Sequence, residues 1–162
     1  MAKLDPIVEF REDHRKVRDL LLELASAVEN GDMPKARITL GTIDSLVGPH
    51  FRYEEEALYP ALRVFLGKYV DSLLGEHTGA IETAKTAAAL LNKSSLTQAE
   101  ARAAAEAARA LLVHVSNCDG LNILAERLSR EELDLLAQRY EEARNAGVPL
   151  LKWGESIRVP AG

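Results

Sequence analysis

The sequence has one cysteine, Cys118, so an internal disulfide is excluded; a lone thiol fits a reducing compartment, and a cytoplasmic location is expected. There is no excess of basic residues. The formal net charge is -5, which leaves no electrostatic footprint for DNA or RNA. No apolar run approaches the roughly eighteen residues that a membrane-spanning helix needs, so no membrane partner is expected. The opening residues, Met1 to Pro6, lack the apolar segment of a signal peptide. Glycine and proline are also scarce, at 10 and 6 of 162 residues, while 47% of the chain is hydrophobic. Few chain breakers and a large apolar fraction favour a helix-rich globular protein, and the length suits a single domain over residues 1–162.

Apolar residues recur in steps of three and four, the seam of a bundle helix. Asp5-Pro6 is a helix start with a capping Asp and Pro in the first turn, followed by Ile7, Phe10, His14, Val17, Leu21, Leu24 and Val28. Asn30-Gly31 ends that helix and Asp32 with Pro34 opens the next, whose seam is Ala36, Leu40, Ile43, Val47, His50, Glu54 and Ala57. Gly48-Pro49 predicts a kink, since Pro costs about 3 kcal/mol in a helix interior. A third helix over 70–92 carries Val70, Leu74, His77, Ile81 and Leu91. The capping box Thr97-Gln98-Ala99-Glu100 starts a fourth, whose seam is Ala104, Ala107, Leu111, His114, Cys118, Leu121, Ala125 and Leu128. Ser129-Arg130-Glu131-Glu132 is a second capping box and starts a short fifth helix over about 129–145. The expected fold is all-α: an up-down-up-down four-helix bundle over about 6–128, the short fifth helix, and an irregular tail over 146–162 that wraps the bundle or is partly disordered.

Each long helix carries one histidine on its apolar seam. His14 and His50 are 36 positions apart and His77 and His114 are 37 apart, a loose internal repeat of two helical hairpins. In an up-down-up-down bundle, a rise of 1.5 Å per residue puts His14, His50 and His114 roughly 12 Å from one end and His77 at roughly 9 Å. The four rings are thus expected in one layer, together with Glu54, one turn from His50. Buried polar rings need partners. They can bond backbone carbonyls or a layer of water, or they can surround a metal; zinc or iron suits nitrogen-rich ligation.

The segment His50-Phe51-Arg52-Tyr53-Glu54-Glu55-Glu56-Ala57-Leu58-Tyr59-Pro60 resembles the second-helix signature of the hemerythrin-like family, the HHE cation-binding domain. Asp13-His14 is similar to the family's first-helix motif, Glu76-His77 to its third, and Leu124 to Leu133 to its passage into the last helix. The resemblance spans roughly residues 6 to 145 and implies a non-haem di-iron centre, with histidines capping the irons and carboxylates bridging them. Glu54 matches the second-helix bridging carboxylate. The implied metal ligands are His14, His50, Glu54, His77 and His114, with Asp119 and Cys118 as candidates from the fourth helix. The implied partner is a small diatomic molecule or a peroxide.

Two departures bear on that site. His77 has Leu73 and Ile81 at the offsets where respiratory-type members carry a second third-helix histidine. Where HHE members have a Glu pair after the fourth-helix histidine, this chain has Cys118 and Asp119. Cys118 lies about 40° from His114 around a regular helix and Asp119 about 140° away. The His-x4-Asp spacing of respiratory-type members is nevertheless met by His114 and Asp119, and Gly120 or a π-bulge could turn that carboxylate inward. Cys118 is open to three roles: an inert buried thiol, a thiolate ligand, or a redox-sensitive group. Three functions follow: a di-iron protein that binds, senses or reacts with dioxygen, peroxide or nitric oxide; a di-iron peroxidase or oxidase, with Tyr53 or Glu55 as proton donor; or a degenerate module that binds one zinc or no metal and serves in structure or interaction.

Overall fold

The computed structural model describes residues 4–159, and all regular structure among them is helical. Helix α1 spans Pro6–Glu29, where Asp5 accepts from the backbone N–H groups of Ile7 and Val8 at 3.0 and 3.2 Å. Helix α2 spans Met33–Tyr53, capped by Asp32, and passes without a break into a π-helical turn over Glu54–Leu58 and then α3 over Tyr59–Leu66. Helices α4 (Tyr69–Leu91) and α5 (Gln98–Gly120) follow, the latter from the Thr97–Glu100 capping box. A short α6 over Asn122–Ala125 leads to α7 (Arg130–Ala146), which starts at the Ser129–Glu132 box. Helix α7 ends at Gly147, whose φ of 58° is a left-handed cap that costs glycine little. Helix α8 spans Leu150–Ser156.

Helix α1 packs along α2 and α5, α2 also meets α4, and α4 meets α5, so these four elements form a helical bundle. Two apolar clusters fill it. One holds Val17, Leu24, Ile43, Val47, Ile81 and Trp153; the other holds Phe10, Tyr59, Leu62, Leu73, Tyr140 and Leu136. No helix of the described residues is long and apolar enough to cross a membrane.

The helix over 33–66 departs from expectation. Pro49 is accommodated inside α2, and the irregular turn comes five residues later. There the Tyr59 N–H reaches the Glu54 carbonyl, an i to i−5 bond. Pro60 has no N–H to give, so a widened turn just ahead of it costs little backbone bonding. The expected fourth helix also stops early. The Leu121 N–H bonds the Cys118 carbonyl at 3.0 Å, a tightened last turn, and the side chain of Asn122 donates to the Ile7 carbonyl at 3.0 Å.

The tail needs correction as well. Residues 146–162 were expected to be irregular, yet 150–156 form α8, and Trp153 is 1% exposed in the core. Residues 160–162 lie outside the described residues. The tail docks because Gly48 leaves room for it: a Cβ there would stand 2.1 Å from the Val148 carbonyl oxygen and 2.5 Å from the Leu150 nitrogen. Gly48→Ala should therefore cost about 1–3 kcal/mol, as overpacking against backbone does, and should shift Trp153 fluorescence toward its solvent-exposed value. Gly41→Ala, in the same helix with nothing within 4 Å of its added Cβ, should stabilise by about 0.5–1 kcal/mol. Thermal unfolding with Trp emission checks both; equal stability of the two variants would refute the docking role of Gly48.

Candidate metal centre

The four histidines meet between the two apolar clusters. His14 Nε2 and His50 Nε2 are 3.2 Å apart, and the ring centroids of His77 and His114 are 4.8 Å apart. Glu54 sits among them, fully buried. Its Oε2 is 2.9 Å from His77 Nε2 and its Oε1 is 3.7 Å from His50 Nε2. Neither oxygen has a hydrogen-bond partner, although His77 Nε2 lies close enough for charge to act between them. A buried carboxylate without hydrogen bonds is costly, and charge with a different geometry must compensate it. Cys118 completes the cluster: its Sγ is 3.3 Å from His114 Nε2 and 3.3 Å from the Tyr59 hydroxyl.

Each histidine turns its other nitrogen outward to a carboxylate. His14 Nδ1 is 3.1 Å from Asp119, His50 Nδ1 is 3.3 Å from Asp13, His77 Nδ1 is 2.9 Å from Glu55, and His114 Nδ1 is 2.5 Å from Glu76. A carboxylate can only accept, so it holds the ring proton on Nδ1 and leaves an Nε2 lone pair facing inward. This is how metal-ligating histidines are commonly oriented. The pattern repeats between the two hairpins. Asp13 and Glu76 each precede a histidine and serve the histidine of the next long helix; Glu55 and Asp119 lie five residues after a histidine and serve the first helix of the other hairpin. By the same repeat, Cys118 stands where its counterpart is Glu54, four residues past a histidine.

Further groups hold the carboxylates. The Tyr140 hydroxyl donates to Asp13 at 2.6 Å, and Arg144 reaches Asp13 at 3.1 Å and Glu9 at 2.8 Å. Arg158, just past α8, donates to Glu55 at 3.0 Å and to the Leu74 carbonyl at 2.9 Å. Rings close the sides: Phe51 stacks on His77 at 3.7 Å, and Phe10 lies 4.3 Å from His14 and 4.9 Å from His50.

The electrostatics favour a cation. Burial lowers the His14 pKa to about 4, helped by the charge of His50 and opposed by Glu54 and Asp119. Burial likewise lowers that of His114. His77 moves up: burial opposes its charge, but Glu54 and Glu55 on its two sides outweigh burial. Glu54 is held below the usual carboxylate range, because the surrounding histidines overcome the cost of burying it. Burial and the charge of Glu54 push the Cys118 thiol and the Tyr59 hydroxyl up, so neither ionises at neutral pH without a cation beside it.

Donor atoms fall into two groups, each within 4.8 Å: Glu54, His77, His114 and Cys118 in one; His14, His50 and Glu54 in the other. Glu54 belongs to both. Of the seven ligand candidates, the structure brings six together and leaves Asp119 apart, with a side chain 41% exposed and bonded to the outer nitrogen of His14. Tyr53, one of the expected proton donors, stacks on Tyr140 at 4.0 Å; the phenol at the donors is that of Tyr59. Glu55, the other, is bound between His77 and Arg158. Tyr59 lies eighteen residues before His77 in sequence, and no periodicity on one helix pointed to it.

A family model described as Hemerythrin HHE cation binding domain matches residues 5–138. No curated protein and no solved structure matches the chain.

Asp13 supports His50 at a measurable level. Burial alone would raise its pKa, but the hydrogen bond and charge of His50, with Tyr140 and Arg144, lower it to about 2. A depressed folded-state pKa stabilises above the unfolded value, near 3.8, and that stability is lost as pH falls toward 2. The gain in stability of wild type over Asp13→Asn should therefore include about 2 kcal/mol that disappears over this window. Denaturant unfolding of both proteins at pH 5 and below checks it; a gap that does not change with pH would remove Asp13 from the network.

Proposed function

We propose that this chain, which belongs to the hemerythrin HHE cation-binding family, is a non-haem di-iron-binding protein whose ligand is dioxygen, peroxide or nitric oxide. The observation that carries the reading is Glu54: a fully buried carboxylate, free of hydrogen bonds and shared by two donor groups. The reading takes α1, α2, α4 and α5 as an up-down-up-down four-helix bundle. His14, His50 and Glu54 hold one ion; Glu54, His77, His114 and Cys118 hold the other. Bound there, two iron ions supply redox-active cations able to take a small oxygen or nitrogen-oxide ligand.

The chain's own groups have separate tasks. The outer carboxylates fix the rings so that each Nε2 faces inward, and Asp119 belongs to this outer set. Phe10 and Phe51 keep water from the flanks. Tyr59 is the nearest hydroxyl, 3.1 Å from His77 Nε2, and can donate to a ligand bound at that side. The thiol of Cys118 stays reduced in the cytoplasm, the compartment this reading adopts.

A second reading has its own support. Two nitrogens, one sulfur and one oxygen from His77, His114, Cys118 and Glu54 make a donor set suited to a single tetrahedral zinc. A peroxidase or oxidase role is the third, and Tyr59 is the proton donor such a reaction would draw on.

Metal analysis separates the readings. Protein expressed in iron-rich medium should carry two iron ions per chain, and Glu54→Ala should lose both, because that side chain serves both groups. A single zinc would favour the second reading, and wild-type iron content in Glu54→Ala would end the first. Cobalt(II) substitution tests Cys118. A thiolate-to-cobalt charge-transfer band should appear in the near ultraviolet and vanish in Cys118→Ser; a spectrum unchanged by that substitution would make Cys118 a neutral buried thiol.

A further inference from the structure

We infer that the chain binds an uncharged, elongated apolar molecule in a chamber that ends on the metal centre. This adds a second ligand to the proposed function and holds whichever metal the centre carries. A cavity of about 370 Å³ lies among α1, α2, α4 and α5. Its floor is His14, His50 and His114, and its polar rim is Glu82, Thr83 and Thr86. Between floor and rim every lining side chain is apolar.

The sequence makes this room. On α1 and α2 the walls are the large side chains of Val17, Leu21, Ile43 and Val47, ordinary core residues. On α4 and α5 the facing positions are Ala84, Ala87, Ala104 and Ala107, where leucines would close the gap. Ala84, Ala87, Ala104 and Ala107 are only partly buried, so the chamber opens to the outside between α4 and α5.

Size and chemistry identify the occupant. An apolar protein cavity of about 150 Å³ takes one benzene ring, so this one has room for about fifteen carbon atoms. That volume falls within the range of small-molecule sites. No wall group can neutralise a charge or satisfy a hydrogen bond, so a charged or strongly polar body would be stranded. No Lys or Arg lines the chamber, and the one charged rim group, Glu82, is already paired with Lys85 at 2.9 Å, so the mouth offers an anionic head no counter-charge. An uncharged hydrocarbon chain or fused aromatic fits, with its inner end against three imidazoles of the centre.

The test uses the full chain, as purified and again after metal removal, with N-phenylnaphthylamine, a neutral probe that fluoresces in apolar surroundings. The expected result is saturable binding of one probe per chain, displaced by dodecanol, with dodecanoate weaker by about tenfold or more. Ala107→Phe and Ala84→Leu, which fill the chamber from α5 and from α4, should each weaken the probe by about tenfold or more, with helical circular dichroism and metal content unchanged. Absent or non-saturable binding to wild type would overturn the inference and leave the chamber as a passage for a small ligand; so would undiminished binding in the filled variants. Should a filled variant not fold, the wild-type titration and its competition decide alone. Metal analysis is read separately, so probe binding without iron, or iron without probe binding, distinguishes failure of the proposed function from failure of this inference.

Discussion

A carboxylate with no solvent and no hydrogen bond is the constraint on which the rest depends. Glu54 is 0% exposed and sits within reach of histidines from α2 and α4. Left to itself such a group would take up a proton and turn neutral. Here the opposite holds, because imidazoles crowd it and keep it anionic. Burial makes the centre a poor place for protons on His14 and His114, while the anionic Glu54 makes it a good one for a cation. A π-helical turn begins at Glu54 itself. It lets consecutive residues grip one ring from both sides, Glu54 at His77 Nε2 and Glu55 at His77 Nδ1.

The outer carboxylates turn four separate helices into one unit. Each histidine is held by an acid from a different helix, so no ring can rotate without breaking a contact across the bundle. The two hairpins use the same offsets, which makes their one mismatch informative. Glu54 has Cys118 as its counterpart, so the centre is unsymmetrical: one side has two nitrogens and a shared oxygen, the other gains sulfur. Sulfur is a softer donor than a carboxylate and favours different metals and potentials. That single substitution is why iron and zinc readings both have physical support here.

Much of this was legible in the sequence, for a definite reason. Seam periodicity gives the helices, and rise per residue gives the depth of a side chain within a helix, so His14, His50, His77 and His114 could be assigned to one layer before any coordinates. Caps at Asp5, Asp32 and Thr97 fixed where three of those helices begin, and Ser129 did the same for α7. What periodicity could not reach was any contact made across helices. Asp13 and Glu76 adjoin a histidine in sequence yet bond a different one, and Arg144 and Arg158 arrive from beyond the bundle's four helices. Asp119 looked like a candidate ligand by spacing, but Gly120 does not turn it inward, and it bonds the outer nitrogen of His14. The tail was misread because α8 spans only 150–156, too short for a clear seam, and because the reason it docks is a missing side chain at Gly48, a hundred residues earlier.

The two C-terminal helices then acquire a structural logic. A polar layer divides the core into two apolar clusters that cannot support one another through it. Each cluster is completed by one late helix: α7 adds Leu136 and Tyr140 to the cluster on one side, and α8 adds Leu150 and Trp153 to the other. The second addition falls on the side where the alanines of α4 and α5 leave a chamber unfilled and dispersion contacts are lost. A bundle with a hollow beside its polar layer needs large buried side chains elsewhere, and Trp153 is the largest of the nearly inaccessible ones. Both late helices also deliver an arginine to the outer carboxylates, Arg144 from α7 and Arg158 from the end of α8. The elements that stabilise the hollow bundle are thus the same ones that hold its histidines in register, which couples the order of the tail to the geometry of the centre.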